Sequence, residues 1–375
     1  MDIIIIVAGF FGVFIGSYLT FKGSSAKENI WLGILLLELS VFMIVPSLIR
    51  LYPNRFIHFT ATTFPILFLI GPTTLAYTKK LHKDYLNLVG IVIHSMPSLI
   101  ILFFMLDFYI QPSDAKLAWL STIKNTGLPL KYHIIWILAC IHITFYFVLA
   151  SKGIRKVQVL FEQNYSNLAR INLKWISFFA IANSILWSLY LIIYLLTQIN
   201  LIKDTFGIVD KLFALGLGIF IYSIGYHILD KPEIFSDYVP QILKKESGIK
   251  YQKTGLTESM AKEKMTYLLS VMTEKKPYLN PDLTLDELAK LTGLSPRHLS
   301  QIINQYLNKK FYEFINEFRI DESKKLLQEG NLKILGVAFE SGFKSKSTFN
   351  YAFKKYVGET PSSYLKAWSK KDKMT

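Results

Sequence analysis

Seven long apolar runs within the first 229 residues constrain the fold of this 375-residue chain more than any other feature of its sequence. They cover residues 3–20, 30–49, 56–77, 86–106, 132–150, 175–196 and 208–229. In hydrocarbon a backbone must satisfy its own hydrogen bonds, and a helix of about 20 apolar residues does so while crossing a bilayer. The runs predict a seven-helix transmembrane bundle. Six spans are the alternative, because polar residues interrupt the ends of the third and seventh runs.

The first run is predicted to be a retained span and not a cleaved signal peptide. No basic residue precedes it, and no small-x-small cleavage site follows it. With the N-terminus outside, the loops that face inward carry ten Lys and Arg residues and those that face outward carry seven. Basic residues concentrate on the cytoplasmic side of membrane proteins. This bias and an odd number of spans predict that the C-terminal end of the chain lies in the cytoplasm.

Polar side chains inside the apolar runs are candidates for a sensor pocket. A carboxylate at mid-membrane costs about 2.5–3.5 kcal/mol unless it is neutralised or paired. We expect Glu38 to face an interior pocket for a small-molecule or peptide ligand, together with His94 or His142. The alternative is that these residues are satisfied packing elements between helices. Because Cys140 is the single cysteine and no residue spacing indicates metal ligation, we predict no disulfide, metal or cofactor.

A short pattern occurs twice in the C-terminal third of the chain. Residues 288–294 (LAKLTGL) align with residues 337–343 (VAFESGF), so that Ala falls on Ala and Gly on Gly. Each Gly stands where a helix ends and the backbone turns left-handed. Ser295 or Ser345 then follows, where its hydroxyl can cap the next helix. This arrangement is typical of a helix-turn-helix, and the second copy in register makes the interpretation much stronger.

The segments around the two copies complete a helical domain. Residues 258–272 are amphipathic and predict either the first helix of the domain or a dimer contact. Thr284 and Glu287 form a capping-box pattern at the start of a helix over 285–291. Residues 311–327 predict a connecting helix about 25 Å long, which would separate two recognition helices by about one DNA turn, or about 34 Å. One chain would then contact two successive segments of the major groove.

Both recognition helices are predicted to turn polar and basic residues outward. In the first helix these residues are Pro296, Arg297, Ser300, Gln301 and Asn304. In the second helix they are Lys346, Ser347, Asn350, Tyr351 and Lys354. An Arg can pair bidentately with guanine, and Gln or Asn with adenine. Phosphate contacts, which position a protein without reading sequence, are expected from Lys309, Lys310, Lys354 and Lys355.

The C-terminal third resembles the DNA-binding domain of the AraC/XylS family of bacterial transcription regulators. The matching residues are Leu285, Leu288, Ala289, Gly293, Ser295, Leu299, Phe314, Arg319, Ala338, Gly342, Phe343, Ser347, Phe349, Phe353, Lys354, Gly358, Thr360, Pro361 and Tyr364. The resemblance implies two helix-turn-helix units that recognise promoter DNA. It also implies that bases are contacted by Arg297, Ser300, Gln301, Lys346, Ser347, Asn350 and Tyr351. The sensor of the best-known members is usually a soluble barrel, so their ligand chemistry and dimer contacts do not carry over.

Together these patterns predict an all-α protein in three parts. They are a seven-span transmembrane sensor domain (1–229), a juxtamembrane linker (230–257) and a cytoplasmic tandem helix-turn-helix domain (258–375). We interpret the chain as a multi-pass protein of the bacterial inner membrane that couples a sensed signal to promoter binding. Its expected partners are double-stranded DNA, the inner membrane, a second copy of the chain, RNA polymerase and an unidentified ligand.

Two other interpretations remain open. The chain would be a membrane receptor or transporter-like protein if its cytoplasmic domain were a protein-interaction module, although the polar faces of both recognition helices argue against this. It would be a constitutive regulator if the membrane half served only as a tether. We do not expect an enzyme, because the sequence contains no G-x-S-x-G, H-E-x-x-H or phosphate-cradling Gly loop.

Overall fold

The computed structural model describes residues 1–21, 29–81, 86–168, 174–199, 201, 207–230 and 257–372. All regular secondary structure in these residues is helical, with one isolated β-bridge between Tyr165 and Thr284, which confirms the predicted all-α class. The chain forms two compact units. The first comprises Met1–Val157 and Leu173–Lys245, and the second comprises Gln158–Asn172 and Glu246–Thr375. Most of the predicted linker, residues 231–256, lies outside the described residues.

Helices α1 to α10 cover the predicted membrane half. They are α1 (Asp2–Phe21), α2 (Asn29–Leu51), α3 (Pro53–Phe56), α4 (Thr63–Leu81), α5 (Leu88–Phe104), α6 (Leu106–Tyr109), α7 (Ser113–Thr126), α8 (Leu130–Asn164), α9 (Lys174–Gln198) and α10 (Ile208–Asp230). Six of the seven apolar runs each lie mainly on one of these helices, whereas the third run is divided between α3 and α4. In the described part of the chain, α1, α2, α8, α9 and α10 are long and apolar enough to cross a membrane, judged by length and composition. Helix α5 is apolar but has only 17 residues.

The sequence pattern predicts one helix for the third apolar run, but the structure has a break there. Residues Pro53–Phe59 and Thr63–Lys80 form two segments at an angle of 52°. Between them Ala61 has a φ of +65°, a left-handed conformation that cannot continue a right-handed helix. Counting this bent pair as one span raises the number of candidate spans from five to six. The break falls among His58, Thr60, Thr62 and Thr63, polar residues near the start of the third run, but their presence did not by itself predict a bend.

Small residues allow α1 and α2 to pack closely. A Cβ atom added to Gly16 would lie 2.9 Å from the backbone oxygen of Gly33, so the two backbones meet directly. Close approach of this kind is typical of helix pairs in membranes, where packing replaces the hydrophobic effect as the driving force. The buried side of α2 adds Leu35, Leu36 and Leu39, each at most 3% exposed.

The second unit contains the predicted helical domain. Its helices are α11 (Glu258–Lys275), α12 (Leu285–Thr292), α13 (Pro296–Gln301), α14 (Phe311–Glu329), α15 (Ile334–Glu340), α16 (Lys346–Val357) and α17 (Pro361–Asp372). Two hydrophobic clusters share α14. Phe311 and Phe314 pack with α11, α12 and α13, whereas Ile320 and Leu327 pack with α15 and α16. The connecting helix therefore belongs to the cores of both helix-turn-helix units.

Candidate nucleic-acid interface

The second helix-turn-helix, α15 and α16, has the turn that its sequence predicts. Gly342 has a φ of +87°, and a Cβ added there would lie 2.4 Å from the backbone oxygen of Tyr278. Ser345 caps α16, since its Oγ accepts a hydrogen bond from the Thr348 amide at 3.2 Å. On the inner face of α16, Phe349 and Phe353 are fully buried. Burial of this extent contributes roughly 1.5–3 kcal/mol per side chain, and it fixes which face of α16 points outward.

The outer face of α16 is open. Lys346, Ser347 and Lys354 are exposed, and Tyr351 is 63% exposed. Asn350 is half-buried between them. The face therefore presents an ammonium group, hydroxyls, an amide and an aromatic ring, which are groups that contact base edges and phosphates in a major groove.

The first recognition helix, α13, begins in the same way but presents a more covered face. Ser295 caps it by accepting a hydrogen bond from the His298 amide, and Leu299 is fully buried beneath it. Arg297 is half-buried, and its Nε and Nη2 atoms are buried without a hydrogen-bond partner in the described part of the chain. Ser300 is 8% exposed and accepts from Asn304 Nδ2 at 3.0 Å, while Gln301 is half-buried.

After α13 the chain takes a π-helical turn over Ile302–Tyr306 that the sequence pattern did not predict. The Leu307 amide donates to the Ile302 backbone oxygen at 3.0 Å, a bond that spans five residues as in a π-helix. Asn304, which the sequence pattern places on the outward face of the recognition helix, lies in this turn and is half-buried.

Three of the four lysines predicted to contact phosphate are in ion pairs. Lys309 pairs with Glu317, Lys310 Nζ lies 2.6 Å from Glu162 Oε2, and Lys355 Nζ lies 3.1 Å from Glu313 Oε1. Lys354 is exposed and takes part in none of these pairs. The Lys355–Glu313 pair is exposed, whereas the pairs of Lys309 and Lys310 are partly buried. An exposed pair is worth only about 0–1 kcal/mol, so Lys355 could exchange its carboxylate for a DNA phosphate at little cost.

The Glu313 carboxylate is held in its charged form. Burial would raise its pKa, but hydrogen bonds from Lys355 and from the Lys310 amide outweigh that effect and leave the pKa below its ordinary value. The pair with Lys355 therefore persists at neutral pH when no DNA is bound.

Arg319 makes an extensive set of polar contacts in the second unit, which no local sequence pattern predicts. It is 2% exposed, and Nε and Nη2 donate to the backbone oxygens of Tyr278 and Asn280, both at 2.8 Å. Nη1 and Nη2 also donate at 3.1 Å to the backbone oxygen and the Oγ of Ser166. Burial lowers the pKa of Arg319 to about 10, so the side chain stays charged at neutral pH.

Residues 158–168, here called the docking segment, pack within the second unit. Phe161 is fully buried, and Ser166 is 1% exposed. The Ser166 amide donates to the Leu283 backbone oxygen at 3.2 Å, beside the β-bridge between Tyr165 and Thr284. The sequence analysis missed this segment, and the structure reveals it: α8 continues to Asn164, well beyond the apolar run that ends at residue 150. Its 35 residues exceed the 20 or so that cross a bilayer.

The predicted sensor residues lie in the first unit, where the structure brings two of them together. His94 Nδ1 lies 2.6 Å from the Tyr146 hydroxyl, and the His142 ring packs on the same tyrosine at 4.7 Å between centroids. Glu38 accepts a hydrogen bond from Thr73 at 2.8 Å, and its second oxygen is buried without a hydrogen-bond partner. No hydrogen bond joins Glu38 to either histidine among the described residues. The described part of the chain also holds no group of three or more His, Cys, Asp or Glu side chains that could bind a metal ion.

Comparisons with known proteins concern the second unit. A family model described as a helix-turn-helix domain matches residues 288–367. The probable transcription factor PqrA of Proteus vulgaris is 33% identical over 85 residues, which cover 23% of this chain and 70% of that protein. The HTH-type transcriptional regulator GlxA of Rhizobium meliloti is 32% identical over 96 residues, which cover 26% of this chain. That match spans only 30% of the length of GlxA.

A solved structure, the C-terminal domain of AraT, a response regulator from Geobacillus stearothermophilus, also matches. The identity is 27%, the match covers 30% of this chain and 88% of that domain, and the TM-score is 0.25.

Proposed function

Because the chain belongs, through its C-terminal domain, to the AraC family of helix-turn-helix transcription regulators, we propose that it is a membrane-bound regulator that couples a sensed signal to promoter binding. One observation carries the DNA-binding part: two capped helix-turn-helix units share the connecting helix α14, and the recognition helix α16 turns an open polar and basic face outward, whereas the polar face of α13 is more covered. Promoter DNA is the partner that this arrangement suits, with α13 and α16 in successive major-groove segments. A second copy of the chain and RNA polymerase are further proposed partners.

The proposed membrane location is supported by side chains on the outer faces of the apolar helices. Large apolar residues there are more than half exposed, far beyond the small patches usual on soluble proteins. Examples are Phe10, Phe14, Phe103, Phe145, Phe178 and Ile219. A hydrocarbon environment would cover these side chains. We therefore propose a sensor domain over residues 1–229 in the bacterial inner membrane, a linker over 230–257, and a cytoplasmic DNA-binding domain over 258–375.

The proposed coupling runs through the docking segment. This segment continues directly from α8, one of the apolar helices, and groups with the DNA-binding domain. Within this segment, Ser166 accepts a hydrogen bond from Arg319, and Glu162 forms an ion pair with Lys310. A movement of α8 would therefore change both contacts. Lys310 is one of the residues expected to contact phosphate. Its pairing with Glu162 would make the docking segment a competitor of DNA.

DNA binding by the full-length chain in lipid nanodiscs tests the proposal. Titration on genomic fragments, including the region upstream of its own gene, should give selective binding with a steep salt dependence, because lysines replace counterions on phosphates. The titration is done at two salt concentrations. Equal affinity for every fragment at both concentrations would instead favour the alternative in which the cytoplasmic domain is a protein-interaction module.

Two variants separate base reading from phosphate contact. Arg297→Ala should cost about 1–3 kcal/mol at one base position, whereas Lys354→Ala should weaken binding to all sequences alike and lower the salt slope by about 1. Both are measured by fluorescence anisotropy on specific and random duplexes. Equal losses on the two duplexes for Arg297→Ala would overturn its assignment as a base contact.

A third variant tests the docking segment. Glu162→Gln removes the counter-charge of Lys310, so the affinity for every DNA sequence should rise and the salt slope should steepen by up to about 1. Glu258→Gln is the matched control, since Glu258 pairs with Lys262 at 3.0 Å on an exposed face of α11. If both variants behave like the unmodified chain, the docking segment does not compete with DNA.

A further inference from the structure

A cavity of about 320 Å³ lies in the first unit, apart from Glu38, His94 and His142. Its wall includes Arg50 near the end of α2 and Asp210 near the start of α10. The end of α2 and the start of α10 lie on one side of the bundle, which in the proposed orientation is the outward side. The volume is at the lower end of the range typical of small-molecule sites.

Half of the residues that line the cavity are aromatic, and hydrogen bonds hold two of these side chains in place. The Tyr190 hydroxyl donates to Asp210 Oδ1 at 2.6 Å. His133 Nε2 lies 2.9 Å from the Leu128 backbone oxygen, which can only accept, so in the neutral ring His133 Nδ1 accepts from the Tyr194 hydroxyl. The ring of Trp136 packs against Tyr190 at 5.7 Å between centroids. The rings are thus ordered before any ligand arrives, which reduces the entropic cost of binding.

The charges on the cavity wall are not equivalent. Arg50 is in an ion pair, because its Nε and Nη2 donate to Asp2 Oδ1 at 2.9 and 2.7 Å. Lys211 is not part of the wall, and its Nζ lies 3.9 Å from the other oxygen of Asp2. Asp210 accepts one hydrogen bond from Tyr190 and is in no ion pair with the described residues. The wall therefore combines aromatic rings with Asp210, a carboxylate that has no counter-charge among the described residues.

We propose that this cavity binds a small organic cation, an amine with an aromatic or alicyclic body. Its ammonium group would face Asp210, and the faces of Trp136, Tyr190 and Tyr194 would attract it through cation–π interactions. Trp136 adds a selective group, since its buried indole N–H has no hydrogen-bond partner among the described residues and would donate to an acceptor on the ligand. This inference deepens the proposed sensing function and rests on it for the outward access of the cavity.

Three probes with the same 4-hydroxyphenyl body test the charge preference: tyramine, the neutral alcohol tyrosol and the anion 3-(4-hydroxyphenyl)propionate. They are titrated by calorimetry into the full-length chain in lipid nanodiscs. Tyramine should bind at least about tenfold more tightly than the other two, because only it carries a cation for Asp210. Equal affinity of the unmodified chain for all three probes, or no binding of tyramine at millimolar concentration, would overturn the proposal.

Two variants locate the contacts. Asp210→Asn keeps the hydrogen bond from Tyr190 and should remove the preference for tyramine over tyrosol, while the control Asp114→Asn, an exposed residue of α7, should leave it unchanged. Trp136→Phe removes the indole N–H, so it should lower the affinity for tyramine more than the affinity for 2-phenylethylamine, which lacks the phenolic acceptor. A preference that survives Asp210→Asn would refute the site. These titrations contain no DNA. A failure of the chain to bind promoter DNA would therefore count against the proposed regulator function and not against this cavity.

Discussion

At the scale of single residues, Arg319 shows how a charged side chain can hold a fold together. Its guanidinium group satisfies backbone oxygens from residues 278 and 280 and from the docking segment. Buried backbone oxygens need a donor, and Arg319 supplies one to each of these, although the Asn280 oxygen also accepts from the Leu283 amide at 3.2 Å. The Phe343 ring lies 5.8 Å from the guanidinium carbon and connects this network to the turn before α16.

Arg319→Ala should lower the free energy of unfolding of the second unit by roughly 3–5 kcal/mol, because several buried carbonyls lose their donor. Lys324→Ala on the same helix is the control, since Lys324 pairs with Asp321 on a largely exposed surface and should cost less than about 1 kcal/mol. Hydrogen exchange of α12 and α15 in the full-length chain measures both. Similar exchange rates in the two variants would contradict a structural role for Arg319.

At the scale of elements, the two helix-turn-helix units share a sequence pattern but differ in what surrounds them. Gly293 has a φ of +63° with nothing within 4 Å of an added Cβ. Gly342 occupies the equivalent turn at a φ of +87°, but it lies directly against the backbone of Tyr278 and Leu279. The second turn is therefore packed against the segment that follows α11, which links the two units in addition to α14.

A pair of glycine variants separates backbone strain from this contact. Gly358→Ala places Ala at a φ of +90° in open space and should cost about 1–2 kcal/mol from strain alone. Gly342→Ala has a similar φ and adds a clash at 2.4 Å with a backbone oxygen, so it should cost clearly more. Thermal unfolding of the second unit measures the difference. If the two variants lower the stability equally, the backbone around Tyr278 moves away from the added Cβ at no cost in free energy.

At the scale of the whole molecule, the proposed arrangement depends on which side of the membrane each end of the apolar helices occupies. Cys140 is the only cysteine in the sequence and is buried, so a cysteine-free background needs one substitution. The exposed Asp114 of α7 and Ser259 of α11 are suitable positions for introduced thiols.

In a Cys140→Ala background, Asp114→Cys should react with a membrane-impermeant thiol reagent in intact cells, whereas Ser259→Cys should react only after lysis. The reason is that the proposed topology has α7 outside and α11 in the cytoplasm. Labelling is followed by a shift in gel mobility. Reaction of Ser259→Cys in intact cells would exclude a cytoplasmic DNA-binding domain.

Local patterns were sufficient to predict much of this protein. The glycines at 293 and 342 and the caps at Ser295 and Ser345 act within a few residues, so the turns and the inward face of α16 could be predicted from the order of the residues. The apolar runs likewise predicted helices, because a backbone among apolar side chains has few other ways to satisfy its hydrogen bonds. The all-α class, the helix-turn-helix pair and the connecting helix were thus determined by the sequence alone.

Only the tertiary structure decided which distant residues meet. Glu162 pairs with Lys310 and Ser166 with Arg319 across about 150 positions of the chain, and no local pattern encodes such partners. The cavity at Asp210 needed several helices to assemble its wall, so its residues carried no common signal in the sequence. The reason is physical: caps and periodicity depend on neighbours in the chain, whereas burial and the pairing of charges depend on neighbours in space.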